Sequence, residues 1–98
     1  MTYVMFLDDE RYPVGESSIV VRSYEEAVEV VMSMGVPKHV DFDHDLGEGM
    51  NGYDFAKFLV EVALDGGDFP ESYSIHSQNP IGKRNITGIM ENYIKHRG

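Results

Sequence analysis

The sequence predicts an α/β domain with about four parallel strands and three helices. Two observations lead there. Short apolar runs alternate with segments of helical period along the chain, and strands that alternate with helices pair in parallel through right-handed crossovers. The runs also end abruptly in polar clusters, so that elements and loops are easy to separate.

The first element, Tyr3-Val4-Met5-Phe6-Leu7, is an unbroken apolar run closed by three acids, the pattern of a strand buried on both faces. Arg11-Tyr12-Pro13-Val14-Gly15 reads as a loop by its Pro and Gly. Ile19-Val20-Val21 is a second, β-branched strand. Ser23 then caps a helix, with Glu26 three residues on to complete a capping box. Tyr24, Ala27, Val28, Val31 and Met32 form its expected apolar stripe, and Gly35 and Pro37 end it.

The third strand covers about His39 to Asp43, followed by a glycine-rich loop from Leu46 to Gly52. A second helix is expected from about Tyr53 to Leu64, burying Phe55, Phe58, Leu59 and Val62, and Asp65-Gly66-Gly67-Asp68 ends it. Ser72 to His76 reads as the fourth strand. Asn79-Pro80 opens the last helix, whose apolar face is Ile86, Ile89, Met90, Tyr93 and Ile94. Lys95, His96 and Arg97 suit the negative end of its dipole.

Composition limits the functional classes. Ninety-eight residues make one domain, burying roughly 60–65% of the unfolded surface. Without cysteine, neither a disulfide nor a thiolate metal site is available. No apolar run approaches the roughly 20 residues of a membrane span, and the start lacks the basic and apolar regions of a signal peptide, so a cytoplasmic location is expected. Eight basic residues against 17 acidic ones give a net charge of −9. Non-specific binding to DNA or RNA, which depends on many Lys–phosphate and Arg–phosphate contacts, is therefore not expected. A phosphate-containing ligand remains possible where a metal or a local basic group helps.

Ligands of open α/β sheets bind beyond the carboxyl ends of the strands. Three polar clusters fall there: Asp8-Asp9-Glu10-Arg11, Asp43-His44-Asp45 and His76-Ser77-Gln78-Asn79. Were the first and third strands neighbours, about 4.8 Å apart, their terminal carboxylates would converge. Such carboxylates repel unless a cation or a proton lies between them, and an oxygen-rich cluster suits Mg²⁺ or Mn²⁺. Single acids at strand ends more often cap helices or pair with arginine. Five of them at two strand ends form a candidate metal site.

His39 and His96 are expected at the surface. His44 and His76 lie within the polar clusters, where they could act as general base and general acid, as metal ligands or as hydrogen-bonded supports. Ser77, Asn79, Lys83, Arg84 and Asn85 surround the start of the last helix, a place that favours an anion or is simply a solvated first turn.

The pair Asp8-Asp9, then Asp43 and Asn51-Gly52, resembles a response-regulator receiver domain, in which the acidic pair holds Mg²⁺ and the third Asp accepts a phosphoryl group. The strings LDDERYP, DFDHDLG, NGYDFAKFL and HSQNPIGKRNI more closely resemble the cyclic-phosphate processing receiver-like domains, small proteins of bacteria and phages linked by prediction to RNA repair. The resemblance spans essentially the whole chain. It implies a three-layer, receiver-like or flavodoxin-like open sheet of strand order 2-1-3-4, but the residues after the fourth strand read as a single helix, so the fifth strand of a receiver is expected to be absent.

It also implies a metal-dependent phosphoesterase acting on a cyclic phosphate, either a 2′,3′-cyclic phosphate at an RNA end or a cyclic nucleotide. Asp8, Asp9, Asp43 and Asp45 would hold Mg²⁺ or Mn²⁺. His44, His76 and Asp43 would carry the chemistry, and Arg11, Ser77, Asn79, Lys83 and Arg84 would bind phosphate. The alternatives are a domain that accepts a phosphoryl group at Asp43 and signals, or a protein that sequesters a nucleotide or another protein without turnover. Departures from ordinary receivers, His44 and Asp45 beside Asp43 and the histidine before Ser77, favour the hydrolase.

Overall fold

The computed structural model describes residues 3–10, 18–46 and 49–97. Seven elements follow one another: β1 (Val4–Leu7), β2 (Ser18–Val21), α1 (Tyr24–Met34), β3 (His39–Phe42), α2 (Gly52–Leu64), β4 (Ser72–Ile75) and α3 (Pro80–His96). The four strands form one parallel sheet in the order β2-β1-β3-β4. This is the expected α/β, receiver-like arrangement, and no fifth strand is present among the described residues. The predicted loop from Arg11 to Gly15 lies outside them.

Local chemistry sets the helix limits. Ser23 caps α1, its side chain accepting from the Glu26 N–H at 3.1 Å, while the Glu26 carboxylate turns back to the N–H of Arg22 rather than to that of Ser23. Gly35 closes α1 with a φ of 89°, where a side chain would be strained. Asn51 and Asp54 form a full reciprocal capping box at α2, one residue earlier than the expected start. Asn79 caps α3 and Pro80 takes its first turn.

Alternation along the strands divides the sheet into two faces. Met5, Leu7, Val21, Val40 and Phe42 belong to the main core, and Ile19, Tyr73 and Ile75 pack against it. The same core takes Ala27 and Val31 from α1, Phe55, Ala56 and Leu59 from α2, and Ile86 and Met90 from α3. All three described helices therefore lie on one face. The third layer of the expected three rests on the connection from β1 to β2, of which residues 11–17 lie outside the described residues. The chain steps in one direction across the sheet from β2 to β3 and from β3 to β4, so right-handed crossovers put both connecting helices on the same side. Only the oppositely directed step from β1 to β2 would place a helix on the other.

One apolar assignment also changes. Met32 is 75% exposed, while Val30 and Met34 pack against the core. Met32 sits about 100° round the helix from the buried Val31, which turns it away from the sheet.

Candidate functional site at the carboxyl ends of three adjacent strands

The sheet ladder continues one residue past β1, β3 and β4. The Asp8 N–H donates to the Val21 carbonyl (3.1 Å), that of Asp43 to Leu7 (2.9 Å) and that of His76 to Phe42 (2.9 Å). Asp8, Asp43 and His76 thus take equivalent places at the ends of three neighbouring strands. Each also has the parity of Phe6, so its side chain falls on the face opposite the helices. Parallel register is what brings residues 68 positions apart within hydrogen-bond reach.

These three side chains each offer a ligand atom, and the atoms all lie within 4.8 Å of one another. Asp8 is only 1% exposed, and its two oxygens receive the Glu10 N–H at 2.8 Å and the Nε2 of His76 at 2.8 Å. The other ring nitrogen of His76, Nδ1, lies 2.6 Å from Asp41 Oδ1. A carboxylate only accepts, so both contacts are made together when the ring carries a proton on each nitrogen. Phe6 lies flat beneath that ring, with centroids 4.8 Å apart and planes 6° from parallel.

Asp43 is the electrostatically loaded member. Burial pushes its carboxyl above the usual carboxylate range, and the nearby negative charge of Asp8 raises it further. His76 and the backbone N–H groups of Asp45 and His44 act in the opposite direction without cancelling the rise. Asp8, Asp43 and His76 bring two carboxylates and an imidazole together with excess negative charge at one spot, and with both ring nitrogens engaged on carboxylates it is the carboxylate oxygens that could hold a divalent cation.

The other expected residues lie around this centre. Asp9 is half-buried next to Asp8 but contributes no atom to the group of three, and neither does Asp45, which is exposed and faces its neighbour, His44 Nδ1, at 3.0 Å. The His44 ring lies against the first turn of α3. A Cβ built on Gly82 would sit 2.2 Å from its Cγ, so only glycine permits this approach. Gly52 is equally confined, because a Cβ there would come within 2.0 Å of the Asp43 carbonyl oxygen.

Ser77 and Asn79 order the entry to α3: the Ser77 hydroxyl accepts from the Asn79 N–H at 3.1 Å, and the Asn79 side chain accepts from the Gly82 N–H at 3.0 Å. Lys83 and Arg84 are exposed in the turn that follows. Arg11 lies outside the described residues. His39 starts β3 and faces the hydroxyls of Ser72 and Ser74, and His96 contacts the Asn92 carbonyl in the last turn of α3.

Two neighbours of the centre were not expected from the sequence. Asp41 shares the face of Asp43 and holds His76; the polar residues at positions 39, 41 and 43 of a strand with apolar residues between them were the available signal. Arg22, just past β2, donates from Nη1 to the Asp8 carbonyl at 3.0 Å. Nothing in its local sequence marks it, since the contact depends on β2 lying beside β1.

The family model described as the cyclic-phosphate processing Receiver domain matches residues 3–92. The chain belongs to this family. One solved structure, a segment of the yeast Spc42 trimeric coiled coil fused to another structure, is similar at a TM-score of 0.62 and 20% identity. The match covers 88% of this receiver-like chain and 62% of that chain, and at this identity it speaks for the fold alone. No curated protein matches the chain. No described helix is long and apolar enough to cross a membrane.

Proposed function

We propose that this receiver-like domain is a metal-dependent phosphoesterase that opens a cyclic phosphate, with a 2′,3′-cyclic phosphate at an RNA end or a cyclic nucleotide as substrate. The observation that carries the reading is the convergence of Asp8, Asp43 and His76 within 4.8 Å at three adjacent strand ends. Membership of a family described by cyclic-phosphate processing supplies the substrate class.

In this reading Asp8 and Asp43 hold Mn²⁺ or Mg²⁺. A bound divalent ion supplies polarisation of the phosphoryl oxygens and an activated water. The residues of the chain manage the protons. Asp43, at the end of the central strand of the three, takes the proton of the attacking water. His76, whose Nε2–H points at Asp8, gives a proton to the departing oxygen. One bond forms between water oxygen and phosphorus, one ring P–O bond breaks, and a phosphomonoester with a free hydroxyl results.

Phosphate contacts from Arg11, Ser77, Asn79, Lys83 and Arg84 belong to the same proposal. Ser77 and Asn79 serve the geometry of the α3 entry as well, and Lys83 and Arg84 offer exposed charge next to it. His44, pressed on Gly82 and facing Asp45, is assigned to holding the loop after β3 against α3 rather than to proton transfer.

An RNA oligonucleotide ending in a 2′,3′-cyclic phosphate, incubated with the protein and Mn²⁺ or Mg²⁺, should be converted to a monoester, and a chelator should stop it. A stable phosphoprotein formed with acetyl phosphate and no such hydrolysis would instead point to phospho-acceptance at Asp43. Tight binding of a nucleotide without product would point to sequestration.

A further inference from the structure

Asp41 lies one register step behind the strand ends, opposite Phe6 on β1 and Ser74 on β4. Its carboxylate is not part of the group formed by Asp8, Asp43 and His76, so it has no place in the proposed chemistry by itself. It instead meets that chemistry's proton donor: Oδ1 stands 2.6 Å from Nδ1 of His76.

The ring of His76 has two things to settle, its plane and which of two flips it adopts. Phe6 settles the plane by lying parallel beneath it. A half-turn about Cβ–Cγ leaves that stacking intact, but exchanges Nδ1 with a carbon and takes Nε2 away from Asp8. A carboxylate facing Nδ1 breaks the tie, because only one flip gives it an N–H to accept. We propose that Asp41 is the positioning residue of the site, fixing the flip and the Nδ1 proton of His76 so that Nε2 is aimed at Asp8 and the reacting phosphate.

This extends the phosphoesterase reading, and its test reads the ring directly so that the two can fail separately. A carboxylate that orients a working imidazole acts through it, and by analogy with the carboxylate partners of metal-bound histidines its loss should lower activity about 10–100-fold. The protein is labelled with ¹⁵N in its histidine rings, and long-range ¹H–¹⁵N spectra are recorded at one neutral pH for wild type, Asp41→Asn and Asp41→Ala. Wild type is expected to show a protonated Nδ1 at His76. Asp41→Asn keeps it, because the amide oxygen still accepts. Asp41→Ala shifts the Nδ1 resonance towards the unprotonated position and lowers kcat about 10–100-fold with little change in KM.

An unprotonated Nδ1 in the wild type would overturn the proposal, and so would identical ring shifts in Asp41→Ala. Should Asp41→Ala not fold, the wild-type and Asp41→Asn spectra still decide, since both must show the Nδ1 proton. Absence of turnover in the wild type would count against the phosphoesterase reading, while the ring spectra would still judge Asp41.

Discussion

Nε2 of His76 stands 2.8 Å from Oδ2 of the buried Asp8, a contact that ties the end of β4 to the end of β1 across β3. The imidazole places a donor, and when protonated a positive charge, where two carboxylates meet. His76→Ala should therefore destabilise the protein, on the order of 1–3 kcal/mol by removing that donor. Mn²⁺ should restore part of the loss, because a cation on Asp8 and Asp43 replaces the missing charge. Urea unfolding with and without the ion measures both effects.

Asp43 behaves in the opposite way. With its carboxyl raised by burial and by Asp8, the folded state binds this proton more tightly than the unfolded chain does. Its contribution is therefore fully present below the ordinary carboxylate pKa and is lost as pH rises through the raised value. At neutral pH the ionised group opposes folding. Asp43→Asn should stabilise the metal-free protein by about 0.5–1 kcal/mol, discounted for its partial exposure, and raise Tm by a few degrees while abolishing turnover. A thermal melt at neutral pH and another at mildly acid pH should show the gain shrinking in acid.

His44 and Gly82 should be coupled. Gly82→Ala drives a methyl group into the imidazole and should cost about 1–3 kcal/mol. With His44→Ala in place the clash is gone, and alanine in the first turn of α3 should be neutral or mildly favourable. A double-mutant cycle by chemical denaturation gives the coupling. Additive costs would separate the two residues.

Tyr73 on β4 hydrogen-bonds to Glu91 on α3. Burial, then the hydrogen bond and charge of Glu91, push its hydroxyl up to about 12. The raised value means that this contribution is complete below the ordinary tyrosine pKa and is lost as pH climbs from about 10 through about 12. Glu91→Gln should bring the titration back towards the ordinary value. The difference in near-UV tyrosinate absorbance between the two proteins reads it.

The sequence marked what local chemistry decides. Ser23 and Asn79 as caps, the apolar runs of β1 and β2, and the acids at strand ends are all visible residue by residue. What it concealed depends on neighbours far along the chain. Asp41 is an ordinary polar residue of an alternating strand until β3 lies between β1 and β4 and His76 is folded over Phe6. The five acids read as one cluster divide in space, because Asp8 and Asp43 share a face and a register position while Asp45 is drawn to His44. Likewise, the placement of α1 and α2 on one face follows from the direction of the crossovers and from no single residue, while α3 joins them through Ile86 and Met90.

Phosphoesterase activity can be followed by ³¹P NMR on a short RNA with a terminal 2′,3′-cyclic phosphate, with Mg²⁺ present, in wild-type protein and in Asp43→Asn. The expected result is steady replacement of the cyclic-phosphate resonance by that of a monoester with the wild type, and no change with Asp43→Asn. A cyclic resonance that persists unchanged with folded wild-type protein and either a cyclic-phosphate RNA or a cyclic nucleotide would contradict it.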